Sequence, residues 1–317
     1  MSKKSTYEKP TFTLALIHPK YWGVWLGFGL LALVVNLLPY SILYRIGRGL
    51  GKLGMKFGKS RVKVARRNLE LAFPEMDPLQ RERMVAENFK NTGMALIETG
   101  ITWFWPTWRF KRLIVAKDVD LLHQYKAQGK GVLLCCVHAL NLEITARAFA
   151  VLGLGGYGAF RPHNNPAYNL IQYWGRSHDG NVLIDRKDLK QMIRVMRDGE
   201  RLFYLPDHDY GPNKSVFVPF FAVEDACTTT GTSILAYTSK AAIVMGSGFR
   251  NDEGRYEIVA NKSVEEEYPQ KDEKAAAAYM NRHVEEVILR APEQWMWLHK
   301  RYKTMEDPNA ERGVRYK

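Results

Sequence analysis

The chain has 317 residues, 46% of them hydrophobic, with 46 basic against 33 acidic side chains. That length buries a core without help from disulfides or metals. The three cysteines, Cys135, Cys136 and Cys227, form neither a disulfide framework nor a zinc spacing. The net charge of +13 is local: residues 1–69 hold thirteen Lys or Arg and one acid, Glu8, whereas residues 70–317 hold 33 basic and 32 acidic side chains.

From Tyr21 to Tyr44 no residue is charged, and aromatics crowd both ends. As one helix the run reaches roughly 36 Å, against a hydrocarbon core of about 30 Å, and the aromatics suit interfacial belts. It predicts a membrane-anchoring helix, spanning or bent at Pro39, which lacks a backbone donor. The run is too long for a signal peptide, and a basic stretch follows it. Residues 45–67 carry nine basic residues and no acid. That flank marks the cytoplasmic side and suits anionic lipid, at about 1 kcal/mol per basic residue. No nucleic-acid module follows, so no nucleic-acid partner is expected. Residues 1–60 read as anchor and juxtamembrane segment, and 61–317 as the catalytic domain.

Residues 61–104 have helical spacing around a break at Pro74. From about residue 110, helices alternate with short apolar strands such as "VLLCCV", "RLFYL" and "AAIVMGSGF". This predicts an α/β sandwich on a mostly parallel or mixed sheet. Two G-x-G-x-x-G matches, at 49–54 and 153–158, lack the strand–turn–helix context of a dinucleotide site. They read as helix-end and close-packing glycines.

His138 ends "VLLCCV", and Glu143 follows five positions later. On one helix the two would point about 140° apart. Across a strand–turn–helix the carboxylate can turn back to the imidazole, at the strand end where α/β sheets bind ligands. Glu143 is then expected to fix the ring and steady its charged form, leaving the other nitrogen as general base. The competing reading is a core histidine and a surface glutamate. Arg161 in "GAFRPHNNP", and Asp207, His208, Asp209 and Tyr210 in "LFYLPDHDYGP", also stand at strand ends. A metal-dependent lipid hydrolase with His138, Asp207 and Asp209 as ligands is an alternative, weakened because adjacent residues alternate in direction. Cys136 could carry an acyl group covalently, but cysteine in an apolar strand packs as a small hydrophobe.

Taken in order, "RRNLELAFPE" (66–75), "HALNLE" (138–143), "FRPHNNP" (160–166), "LPDHDYGP" (205–212), "VPFF" (218–221), "TTTGTS" (228–233) and "QWMWLHKRYKT" (294–304) resemble the late lipid A acyltransferases of the lauroyl/myristoyl type. These are the secondary acyltransferases of Gram-negative lipopolysaccharide synthesis. H-x4-D/E alone is a weak pattern; followed by R-P-x-N-N-P and D-x-D-Y-G it is specific. The resemblance runs from about Leu14 to Thr304. It implies a glycerolphosphate-acyltransferase-like αβα sandwich with an N-terminal membrane-anchoring helix. It implies transfer of a fatty acyl chain from acyl-carrier-protein thioester to a hydroxyl of a lipid A precursor, with no cofactor and no metal. It places the protein in the inner membrane, with its catalytic domain on the cytoplasmic face. His138 and Glu143 match the catalytic motif, and Arg161 and Asp207 the second and third motifs. Arg161, Asp207, Asp209 and Tyr210 are then the expected substrate-binding or oxyanion groups. Glu224 and Asp225 depart from the small, uncharged stretch the family shows after "VPFF", and the paired cysteines are not carried over. The runner-up is an acyltransferase for another glycolipid or a phospholipid.

Overall fold

A computed structural model describes residues 9–317; Lys3, Lys4 and Glu8 of the N-terminal charge cluster lie outside the described residues. The apolar run is two helices, not one. Helix α1 covers Trp22–Leu37 and helix α2 covers Tyr40–Phe57, with Leu38 extended (φ −91°, ψ 145°) and Pro39 at the start of α2. Proline has no N–H to continue the ladder and holds the residue before it out of the helical region. The helical stretch Pro19–Leu37, 19 residues, is still long and apolar enough to cross a membrane; it measures about 28 Å.

Helix α1 has two apolar faces with different fates. Phe28, Leu31 and Val35 pack against the rest of the protein, Phe28 stacking on Trp103 at 5.5 Å. Trp22, Leu26, Leu30, Leu33 and Leu37, three or four apart, are exposed. Helix α2 lies on α4 (Pro78–Phe104), backbone to backbone. A Cβ on Gly51 would stand 2.1 Å from the Phe89 carbonyl oxygen, so only glycine permits this approach. Part of the basic flank is neutralised within the fold, through Arg48–Glu87, Arg66–Glu82 and Arg67–Glu70. Arg45, Lys52, Lys56 and Lys59 face outward.

Helix α3 spans Lys59–Ala72 and α5 Thr107–Lys111. Beyond them strands and helices alternate: β1 (Ile114–Asp118), α6 (Asp120–Ala127), β2 (Val132–Cys135), α7 (Leu142–Phe149), β3 (Tyr157–Phe160), α8 (Pro166–Arg176), β4 (Val182–Asp185), α9 (Leu189–Arg197), β5 (Arg201–Tyr204), β6 (Ser215–Phe220), β7 (Val223–Thr229), α10 (Gly231–Ser239), β8 (Ala242–Arg250), β9 (Tyr256–Ser263) and α11 (Glu273–Leu289). Seven strands form one mixed sheet in the order β1-β9-β8-β2-β5-β3-β4, parallel throughout except for β8 against β9. Strands β6 and β7 make a separate hairpin. The "VEDAC" segment, with the departing Glu224 and Asp225, is part of β7, and Asp225 pairs with Arg315.

Strand alternation feeds two cores. Leu133, Cys135 and Val137 enter a cluster with α3, α9, α10 and α11, whereas Val132, Leu134 and Cys136 enter one with α4, α6 and α7. Helices therefore cover both faces of the sheet. A buried ion pair, Glu98–Arg250, joins α4 to β8. The Tyr256 hydroxyl donates to Glu98 at 2.6 Å, and Arg250 also donates to Asn91.

Candidate active site

Strand β2 carries the chain to the carboxyl edge of the sheet, with the Cys136 N–H still donating to the Tyr204 carbonyl at 2.8 Å. His138 follows. Its backbone N–H donates to Asp207 Oδ2 at 2.7 Å, and its ring Nδ1 meets Asp207 Oδ1 at 2.7 Å. Asp207 stands three residues past β5, the neighbour of β2, so strand pairing brings together two groups far apart in sequence. The Trp295 indole N–H donates to Oδ2 at 2.7 Å. The C-terminal segment holds the far side of the turn: Leu140 N–H donates to the Gln294 carbonyl at 2.8 Å, and Met296 N–H to the His138 carbonyl at 3.2 Å.

Asp207 is fully buried, and burial alone would raise its carboxyl. The His138 ring, the hydrogen bonds it receives and nearby His208 outweigh this and hold it far below the ordinary carboxylate range. An ionised carboxylate only accepts, so the Nδ1 that faces it carries a proton, and in the neutral ring Nε2 holds the lone pair. The His138 side chain is 21% exposed, so that nitrogen can be reached. The His208 ring stacks on His138 at 3.5 Å between centroids, within 6° of parallel, and His299 stacks on His208 at 4.3 Å. Burial, then His138, His299 and Arg301, push His208 down to about 2, with Asp207 pulling the other way. Burial, then Lys303 and His138, push His299 to about 4. Both rings are neutral at physiological pH.

The expected His138–Glu143 contact is not formed. Glu143 accepts from the Trp103 indole N–H at 3.0 Å and from Arg176 Nε at 2.9 Å, with Arg176 Nη2 on the same carboxylate. The cause is where α4 and α8 dock: they place a guanidinium and an indole over the first turn of α7, which captures the carboxylate before it can reach the imidazole. Arg161 is exposed just beyond the carboxyl end of β3, and among the described residues it makes no hydrogen bond or ion pair. Asp209 is buried, and its own chain occupies both oxygens: Gly211 N–H and Thr304 Oγ1 on Oδ1, Thr304 N–H on Oδ2. It clamps the C-terminal segment. Tyr210 is 56% exposed as a residue, with its hydroxyl donating to the Leu205 carbonyl at 2.8 Å. Trp295 and His299 lie within the "QWMWLHKRYKT" segment, and His208 within "LPDHDYGP". Trp103 and Arg176 carry no local sequence signal.

Donor atoms of His138, Asp207 and His208 lie within 4.8 Å of one another, the spacing of a metal site. His208 Nε2 is buried with no partner among the described residues. Both Asp207 oxygens already accept from three N–H groups, and Asp209 points away.

A half-enclosed, mostly apolar cavity, lined by Cys136 and Leu205, which stand two residues before His138 and Asp207 respectively, lies between the sheet and helices α4, α7 and α8. Cys136, Leu142 and Leu205 lie at the carboxyl-edge end; Gly156, Asn181 and Val182 lie at the other. Burial pushes the Cys136 thiol up to about 12, so no thiolate is available for covalent transfer.

The sequence matches the family model of bacterial lipid A biosynthesis acyltransferases over residues 9–304. It is 48% identical to a lipid A biosynthesis lauroyltransferase of Escherichia coli (strain K12), over 93% of this chain and 96% of the relative. It is 42% identical to a lipid A biosynthesis acyltransferase of Haemophilus influenzae, over 94% and 96%. It is 40% identical to a lipid A biosynthesis palmitoleoyltransferase of Escherichia coli (strain K12), over 92% and 95%.

Proposed function

The chain belongs to the bacterial lipid A biosynthesis acyltransferase family, and on that premise we propose that it transfers a fatty acyl chain from acyl-carrier-protein thioester to a hydroxyl of a lipid A precursor. The observation that carries the reading is the reachable ring of His138, its Nδ1 held by Asp207, two residues beyond Cys136, which lines an apolar cavity. An alcohol is a poor nucleophile at neutral pH, and a positioned base contributes roughly 10²–10⁴-fold. In this reaction His138 Nε2 takes the hydroxyl proton as the oxygen attacks the thioester carbonyl. Asp207 stabilises the imidazolium. The tetrahedral oxyanion collapses, the carbon–sulfur bond breaks, and the carrier thiol leaves with the proton. The acyl chain lies in the cavity, whose wall the Glu143–Arg176 pair completes. Glu143 thus acts on the substrate site and not on the imidazole.

Arg161, Arg186 and Lys187 are exposed just past the carboxyl ends of β3 and β4. They suit an acidic carrier or the phosphate of an acceptor. The exposed stripe of α1 and the outward basic residues of α2 suit an anionic bilayer surface, consistent with attachment at the cytoplasmic face of the inner membrane. The glycerolphosphate-acyltransferase-like architecture belongs to the same reading. The test offers the full chain a lauroyl thioester of acyl carrier protein with either a lipid A precursor or a lysophospholipid, with and without chelator. Chelator-insensitive ester formation on the lipid A precursor supports the proposal. Transfer only to the lysophospholipid, or thioester and lipid cleavage that a chelator abolishes, overturns it.

A further inference from the structure

We infer that Gly158 sets the length of acyl chain the cavity accepts, an inference that rests on the acyl-transfer reading above. The sheet register gives the cavity a depth. Gly158 lies opposite Phe203, with Leu205 two residues further along toward the carboxyl edge and Gly156 two residues back at the far end. Four strand residues separate those levels, about 13 Å.

At the far end stand polar groups already satisfied. The Asn181 amide donates to the Ala146 carbonyl at 2.9 Å and accepts from Gly156 N–H at 3.2 Å, tying α7 to β3. The Arg147 guanidinium donates to the Thr102 and Trp105 carbonyls at 2.6 and 2.9 Å and to Asp179 at 2.7 Å. A methyl terminus driven further would break these bonds and leave their buried partners unmade.

Of three glycines lining the cavity, only Gly158 has room to grow. A Cβ on Gly156 would stand 2.6 Å from the Arg201 carbonyl oxygen, and one on Gly175 would stand 2.2 Å from Trp103 Cγ. A Cβ on Gly158 meets a single atom, Leu183 Cδ2, at an ordinary 3.7 Å. Gly158 is also outside the left-handed region, so any residue can adopt its backbone. A larger side chain there enters the space of the lower acyl chain instead of forcing backbones apart. Leu183, its partner on β4, lines the same level.

The experiment gives Gly158→Ala, Gly158→Leu and Leu183→Ala full-length protein an equimolar mixture of decanoyl, lauroyl, myristoyl and palmitoyl thioesters of acyl carrier protein. Product masses on the lipid A precursor are read as ratios. Each methylene kept out of an apolar site costs about fourfold, so Gly158→Leu should shift the ratio toward shorter chains by tenfold or more. Gly158→Ala should shift it less in the same direction, and Leu183→Ala toward longer chains. Should Gly158→Leu fail to fold, judged by its thermal transition, Gly158→Ala decides. An unchanged ratio, or rates that fall equally for every chain length, overturns the inference. A wild-type protein that acylates nothing overturns the acyl-transfer reading instead.

Discussion

Asp207 holds His138 twice, through the ring Nδ1 and through the residue's own backbone N–H, each at 2.7 Å. One carboxylate thereby fixes both where the imidazole sits and which nitrogen keeps its lone pair. A carboxamide in its place would turn an NH₂ toward one of those N–H donors, leaving it unpaired and releasing the tautomer. Asp207→Asn is therefore expected to lower kcat by about 10²–10⁴-fold in a protein that still folds. Initial rates of ester formation, read by product mass, check this; a loss below tenfold would show that Asp207 does not orient the base.

Glu143 is expected to behave differently. It is bonded to Arg176 and Trp103, so Glu143→Ala should lower kcat/KM while leaving the pH dependence of the rate in place. Asp207→Asn should move that dependence. The comparison is a pH–rate profile for the two variants. An identical displacement in both would mean that Glu143 reaches the imidazole during turnover.

The neutral His208 makes stability depend on pH. Its folded value, about 2, lies below the ordinary histidine value of about 6.5, so the unfolded chain binds the extra proton first. Stability contributed by the neutral ring is complete above about pH 6.5 and is lost as pH falls toward the folded value, at up to about 1.4 kcal/mol per pH unit. His299 adds in the same direction down to about 4. Asp207, depressed from the ordinary carboxylate range, adds only below about pH 4. His208→Phe keeps a stacking ring without the proton. Denaturant midpoints between pH 7 and 5 should fall more gently in this variant than in the wild type; parallel slopes would contradict the assignment.

Glu98 and Arg250 test the fold apart from the chemistry. Their side chains are 1% and 6% exposed. Glu98→Leu strands a buried guanidinium and should cost about 3–5 kcal/mol, seen as a lower urea midpoint at unchanged slope. Loss of less than 1 kcal/mol would mean that water reaches Arg250 through the α2–α4 junction.

Much of the site was legible because strands end where ligands bind. His138, Arg161 and Asp207 each follow a short apolar run, and the sequence read them as strand-end groups. The partner of His138 was not legible: it depends on β2 and β5 being neighbours, and no local pattern encodes strand order. Glu143 was misjudged for the same reason, since Arg176 and Trp103 reach it only through the docking of α8 and α4. Asp209 resembles its neighbours in sequence, yet Thr304 takes its oxygens from the other end of the chain. In the anchor, Pro39 was visible, and composition could not decide between a bend and a continuous span. The glycines of α2 and α4 decide it by allowing backbone contact. Strand β7 was missed because Glu224 and Asp225 interrupt its apolar run, although one is exposed at a hairpin edge and the other paired.

On the proposed reading, His138 is the base for transfer to a hydroxyl. The most direct test is the mass of a lipid A precursor incubated with lauroyl thioester of acyl carrier protein and either wild-type protein or His138→Ala. The wild type should add one lauroyl ester, and His138→Ala should lose rate by at least about 10²-fold. A His138→Ala protein that acylates at near the wild-type rate would contradict that reading.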